Sequence, residues 1–224
     1  MADFIKHPVV EVPDRAPEPV FSQEELRFTP QESAQIERFR EMYPTNQGAV
    51  MHTLWLAQEK FGFLPPEVLQ LVARTLEIPY PIVYGVMTFY SQYYRERRGK
   101  YVLDVCTCFT CQVCGGYDIL HYLEEQLGIR KGETTDDGLF TIQEVECLGA
   151  CGSGPMLQIT NRHFVHNLTP EKIDRLLADL REDRLPGFVS VTLPQDQAEL
   201  GGNRRTDADG VEQYVTQPIA REVG

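Results

Sequence analysis

Residues 101–114, YVLDVCTCFTCQVC, run a β-prone segment directly into four cysteines. Residues 139–151, LFTIQEVECLGAC, repeat the arrangement, with a strand-like run that ends at Cys147 and a further cysteine at Cys151. Two strand ends on the same edge of a sheet bring the loops that follow them together. The chain's six cysteines are Cys106, Cys108, Cys111, Cys114, Cys147 and Cys151, all within these two stretches. A disulfide framework spreads its cysteines along a chain to staple loops. Two tight clusters point instead to metal, cluster or redox chemistry.

Outward from the first cluster, residues 115–127 place Ile119, Leu120, Leu123 and Leu127 at helical spacing, closed by Gly128. A polar turn over 130–138 leads into the strand of the second cluster. Residues 155–160 and 163–167 read as a hairpin around Asn161-Arg162, and Thr169-Pro170-Glu171-Lys172 opens an amphipathic helix to about Leu180. Strand, helix, strand, hairpin and helix make the skeleton of a thioredoxin-like layer of sheet and helices. Upstream, Thr29-Pro30-Gln31-Glu32 carries an N-cap, a first-turn proline and a capping-box glutamate. Ile36, Phe39 and Met42 follow at helical spacing. Further helices are expected at 49–61, from Pro65-Pro66 to Leu76, and over 81–95. The fold class is therefore α+β. Residues 1–27 read as an extended N-terminal arm, 28–98 as a helical bundle, 99–186 as the thioredoxin-like domain and 187–224 as a tail.

The 224 residues are 42% hydrophobic and 24% charged, ordinary globular usage that supports a sizeable core. Thirty-three acidic against 21 basic residues give a net charge of −12, the opposite of what a free-standing nucleic-acid binder needs. No apolar run approaches the roughly 18–20 residues that span a bilayer. The opening MADFIKHPVVEVPDRAPEP lacks the layout of a secretory signal or a transit peptide. A soluble protein of a reducing cytoplasm is expected.

Four converging thiolates suit Zn²⁺ or an iron–sulfur cluster. Cys106, Cys111 and Cys114 with Cys147 match the plant-type [2Fe–2S] spacing and leave Cys151 unused. A second set takes two from each strand end: Cys106, Cys111, Cys147 and Cys151. A third reading makes Cys108/Cys111 or Cys111/Cys114 a redox dithiol. The spacing favours a [2Fe–2S] cluster over zinc, because the second pair is C-x3-C rather than C-x2-C. Glycines at 115, 116, 149, 152 and 154 would let backbone N–H groups approach the sulfurs.

Val105-Cys106-x4-Cys111, then a helix, then Val145-Glu146-Cys147-Leu148-Gly149-Ala150-Cys151 and Pro155-Met156-Leu157-Gln158-Ile159 closely resemble one family. It is the thioredoxin-like ferredoxins, the small [2Fe–2S] subunit of the NADH-oxidising module of respiratory complex I. Leu56-Ala57-Gln58-Glu59, Gly62-Phe63-Leu64-Pro65, Val83-Tyr84 and Thr88-Phe89-Tyr90 extend the resemblance to that family's helical domain, so that it spans about residues 30–183. The resemblance implies a helical bundle followed by a thioredoxin-like [2Fe–2S] ferredoxin domain, with Cys106, Cys111, Cys147 and Cys151 as cluster ligands. Cys108 and Cys114 are then non-ligands, at positions where many members lack cysteine. Gly154 also departs from the pattern, since alanine is commoner before that proline.

The implied role is electron transfer within an NADH–quinone oxidoreductase. FMN and NADH would be bound by a partner flavoprotein subunit, and the cluster here would exchange one electron with reduced FMN. Its implied place is off the main cluster chain. The larger iron–sulfur subunit of the peripheral arm would be the other neighbour, and membrane association would be indirect, on the cytoplasmic side of a bacterial inner membrane. This chain shows no G-x-G-x-x-G after a strand and no P-loop. It therefore carries no complete active site. Alternatives are the equivalent subunit of an NAD-linked hydrogenase or formate dehydrogenase, a zinc-stabilised interaction subunit, and a free dithiol oxidoreductase.

Plainer readings suit other features. Tyr80, Tyr84, Phe89, Tyr90, Tyr93 and Tyr94 read as core before partner-docking face. His121 reads as a packing or surface residue, since four better thiolate ligands are at hand. His163 and His166 flank a hairpin strand and carry no assigned role. Glu124/Glu125 and Asp136/Asp137 read as solvated faces.

Overall fold

In the computed structural model, which describes residues 20–22, 24–191, 203–206 and 212–215, Thr29 opens the first helix by a reciprocal cap. Its hydroxyl accepts from the Glu32 amide at 3.2 Å, and the Glu32 carboxylate accepts from the Thr29 amide at 2.7 Å. The same carboxylate takes Lys60 Nζ at 2.6 Å, which ties α1 (Pro30–Glu41) to α2 (Val50–Phe61). Gly62 ends α2 in the left-handed conformation, at φ 81°. With α3 (Pro66–Leu76) and α4 (Tyr80–Phe89), these helices bury Ile36, Leu54, Ala57, Val68, Leu69, Leu76 and Val83 in one core. Leu26 joins it, and Phe21 packs edge-on against Phe61 with ring centres 5.1 Å apart. Residues 1–19 lie outside the described residues.

The fourth helix stops at Phe89, short of the expected 95. Beyond it the backbone is claimed by other partners: Tyr94 O accepts from the Leu64 amide at 2.7 Å and the Tyr94 amide donates to Gln58 Oε1 at 2.7 Å. Tyr93 OH donates to Met51 O at 2.9 Å. These bonds hold a turn and the bends that follow it and bury Tyr93 and Tyr94, while Tyr84, Phe89 and Tyr90 stay exposed. The aromatic run is thus divided between core and surface.

The chain divides into two units at Arg95/Glu96. The second is a five-stranded sheet. Strand β1 (Tyr101–Cys106) pairs parallel with β2 (Phe140–Val145) and antiparallel with β3 (Leu157–Ile159); β4 (His163–Val165) and β5 (Val189–Val191) complete the order β2-β1-β3-β4-β5. A parallel pair needs a crossover. Here a short helix, α5 (Phe109–Val113), and a longer one, α6 (Gly116–Leu127), supply it. Alternation along β1 turns Leu103 and Val105 into a core shared with Ile119, Leu120 and Leu123 of α6 and Ile173, Leu176, Leu177 and Leu180 of α7 (Pro170–Arg181).

Strand β5 falls where the sequence suggested a tail. Three residues are too few to show alternation, and burial of Phe188 beneath the cations of Lys172 and Arg175 anchors it. Farther on, β6 (Asn203–Thr206) and β7 (Glu212–Val215) pair antiparallel; the remainder of the expected tail lies outside the described residues. The outer edge of β2 is covered by residues 132–135. Gly132 donates to Ile142 O at 2.7 Å, Ile142 to Glu133 O at 3.2 Å and Thr135 to Phe140 O at 2.9 Å. Among the described residues no helix is long and apolar enough to cross a membrane.

Candidate metal centre

The parallel register of β1 and β2 sets Cys106 opposite Val145. Both strands therefore deliver their chains to one edge of the sheet, Cys106 as the last residue of β1 and Cys147 two residues past β2. Thr107 donates its amide to Val145 O at 3.1 Å and holds the two exits together. Helix α5 then turns Cys111 inward. Cys106 and Cys111 are buried with Met156 in a small apolar cluster, bordered by Cys108, Leu148, Ala150 and Phe164. Cys147, Cys151 and Cys114 are exposed, so the arrangement has a dry side and a wet side.

Thiols meet in pairs. Cys106 and Cys111 share a hydrogen bond, and Cys106 Sγ also donates to Glu146 O at 3.0 Å. Cys147 and Cys151 Sγ lie 3.8 Å apart, and Cys108 hydrogen-bonds Cys147. Burial, reinforced by Cys106, pushes the Cys111 thiol up to about 12. Cys151 is raised chiefly by its bond to Cys147. Cys147 moves the other way, because the Gly149 amide donates to its sulfur at 3.4 Å and Cys151 and Cys108 add further bonds. Of the expected glycine contacts to sulfur, Gly149 supplies this one, at φ 78°. These bonds favour the thiolate at Cys147, the form that metal binding requires.

Two further glycines make room. A Cβ on Gly116 would lie 2.9 Å from Cys111 O and 3.0 Å from Cys106 O, both backbone atoms. A Cβ on Gly154 would lie 3.3 Å from Cys111 Sγ. The loop that carries Cys151 is also pinned from beyond β4. Ser153 Oγ lies 2.6 Å from Nδ1 of the buried His166, the Asn167 amide donates to Ser153 O, and the Leu168 amide donates to Pro155 O, both at 2.9 Å. On the β2 side, the Glu144 carboxylate accepts from Thr107 Oγ1 at 3.0 Å, from Tyr117 OH at 2.9 Å and from Lys131. Sequence reasoning passed over Ser153 and Glu144 and gave His166 no role. The one sequence signal is a hydroxyl two residues past Cys151, and its partner lies 13 residues on.

The structure thus brings together Cys106, Cys108, Cys111, Cys147 and Cys151, and leaves Cys114 exposed at the end of α5. Among the described residues, no three His, Cys, Asp or Glu side chains converge at single-ion distance. A two-iron cluster takes two ligands on each iron. Two thiol pairs, one from each strand exit, fit that demand, as do the soft sulfur donors and the space kept by Gly116 and Gly154. His121 lies outside this cluster, with its ring 6.2 Å from that of Tyr117.

A profile of the thioredoxin-like [2Fe–2S] ferredoxin family matches residues 36–181. The chain is 41% identical over 147 residues to an NADH-quinone oxidoreductase subunit of Rhizobium meliloti (strain 1021), covering 66% of this chain and 87% of that protein. It is 39% identical over 147 residues to NADH-quinone oxidoreductase subunit 2 of Thermus thermophilus, covering 63% and 81%. It is also 36% identical over 145 residues to the NADP-reducing hydrogenase subunit HndA of Solidesulfovibrio fructosivorans, covering 65% and 84%.

Proposed function

Because the chain belongs to the thioredoxin-like [2Fe–2S] ferredoxin family, we propose that it is the electron-transfer subunit of an NADH–quinone oxidoreductase. Cys106, Cys111, Cys147 and Cys151 are the proposed ligands of one [2Fe–2S] cluster. That group supplies one-electron chemistry when bound, while the protein sets its surroundings. The buried pair Cys106/Cys111, with Met156 and Phe164, excludes water from one side. The exposed pair Cys147/Cys151 faces outward, where an electron partner can approach. The Gly149 amide supplies a hydrogen bond to sulfur of the kind that raises a cluster's potential.

In this proposal a flavoprotein subunit binds NADH and FMN, and reduced FMN exchanges one electron with this chain. The larger iron–sulfur subunit is the second neighbour, and membrane association is indirect, on the cytoplasmic side. The helical residues 28–98 and the ferredoxin residues 99–186 are the proposed domains. The observation that carries the reading is the parallel register of β1 and β2, which delivers both cysteine loops to one edge.

The test is iron and acid-labile sulfide per chain in anaerobically purified protein, with EPR before and after dithionite. The expected result is two irons, two sulfides and an S = 1/2 signal on reduction (the numbers follow from the cluster's formula). Serine at Cys106, Cys111, Cys147 or Cys151 should abolish or alter that signal, and serine at Cys108 or Cys114 should spare it. Zinc without sulfide would overturn the reading. A second context, the matching subunit of an NAD(P)-linked hydrogenase, is favoured by the 36% identical hydrogenase subunit. Co-purification of a nickel–iron subunit in place of quinone-module proteins would select it.

A further inference from the structure

The four proposed ligands are not held alike. Cys106 ends β1, Cys111 lies within α5, and Cys147 receives the Gly149 amide. Cys151 stands instead in the loop of residues 149–154, GACGSG, half of which is glycine. Glycine loses more conformational freedom on folding than any other residue, so such a loop needs support from outside itself to keep one shape. Three hydrogen bonds from the chain beyond β4 supply it. Two are main-chain bonds of 2.9 Å, from the Asn167 amide to Ser153 O and from the Leu168 amide to Pro155 O. The third joins side chains: Ser153 Oγ lies 2.6 Å from His166 Nδ1. His166 is itself firmly seated. It is 4% exposed, its ring meets Phe164 edge-on with centres 5.6 Å apart, and its carbonyl accepts from Lys172 Nζ at 2.7 Å. Phe164 in turn packs against Cys106, Cys111 and Met156. A buried imidazole is costly unless its nitrogens are paired, so the bond that steadies the loop also satisfies Nδ1.

We propose that His166 is a positioning residue for the cluster: through Ser153 it fixes the loop that carries Cys151, and so sets how firmly the cluster is retained and at what potential it works. The inference rests on the [2Fe–2S] reading above and adds a residue to it. A cluster is lost through moments when one ligand's loop swings away, and each restraint on that loop makes those moments rarer. Removing one hydrogen bond from the restraint should speed iron loss about threefold to tenfold. The direction in which the Cys151 sulfur meets iron also shapes the electronic state of the cluster, so the bond acts on spectrum and potential as well as on retention.

The test compares the wild-type chain with S153A, H166F, H166N and the double variant S153A/H166F, all purified anaerobically with their iron. Three quantities are read: the rate at which a ferrous chelator strips iron, the EPR g values of the reduced protein, and the midpoint potential. Asparagine places an amide where Nδ1 lies and can donate or accept, whereas phenylalanine keeps the ring and loses the bond. The expected result is iron loss about threefold to tenfold faster in S153A and in H166F, with shifted g values and potential, and near wild-type behaviour in H166N. The double variant should be no worse than H166F, because both changes remove one bond. Wild-type release, g values and potential in S153A overturn the proposal, and so do equal losses in H166F and H166N, which would assign the effect to ring packing. Additive losses in the double variant overturn it as well. Ser153 is only partly buried, so S153A carries the test should H166F fail to fold. A wild-type chain without iron and labile sulfide defeats the [2Fe–2S] reading itself, an outcome separate from any difference among the variants.

Discussion

Asp104 shows how a single side chain can oppose the environment its strand creates. It lies on β1, 3% exposed, its Oδ1 has no hydrogen-bond partner among the described residues, and burial lifts its carboxyl to about 8 despite the opposing pull of Arg98. An unfolded aspartate titrates near 3.9. The folded chain therefore keeps a proton that the unfolded chain has lost, and stability should fall as pH rises from about 4 to about 8. The steepest possible slope is about 1.4 kcal/mol per pH unit, and the curve should flatten above that window. Asp104→Asn should level much of the slope, which urea unfolding under anaerobic conditions at pH 5 and pH 7.5 would show. Parallel curves for the two proteins would rule the idea out. The sequence made the cysteines legible, because cysteine has few structural uses in such clusters. It did not reveal Asp104, since a β-prone run says nothing about which face is covered, nor the Ser153–His166 contact, which exists only once β3 and β4 fold back.

Among the elements, α1 to α4, α6 and α7 were visible in the spacing of apolar residues and in their caps. Helix α5 was not, because five residues of threonine, cysteine, glutamine, phenylalanine and valine complete no periodic pattern. Its short length is why the junction to α6 is tight. Alanine at Gly116 would gain about 1 kcal/mol from helix propensity. Its Cβ, however, would press on the Cys106 and Cys111 carbonyls, which as backbone atoms cannot swing aside. Overpacking of this kind costs about 1–3 kcal/mol. Gly116→Ala should therefore lower stability rather than raise it, and should reduce iron content per chain. A variant at least as stable as wild type, with full iron, would show that α5 yields easily. Helix α4 teaches the reverse lesson: its pattern continued past Phe89, but hydrogen bonds to Gln58, Leu64 and Met51 outweighed it.

For the whole molecule, the division at Arg95/Glu96 separates two apolar cores, and all six cysteines fall in the second unit. Metal bound to one core stabilises what it contacts. Stripping iron with a chelator should therefore raise amide exchange around 101–115 and 145–168 and leave helices α1 to α4 protected, as hydrogen-exchange mass spectrometry would record. A uniform loss of protection would mean that the two cores open as one. The cover over β2 has a different kind of consequence. A sheet's open margin is a template on which another chain can add itself. Residues 132–135 occupy that margin with main-chain bonds of their own. The polar turn that reads as a mere connection in the sequence therefore closes that margin to strand addition by another chain. A chain with that turn shortened should keep the same core and aggregate more readily, which light scattering of the purified protein would record.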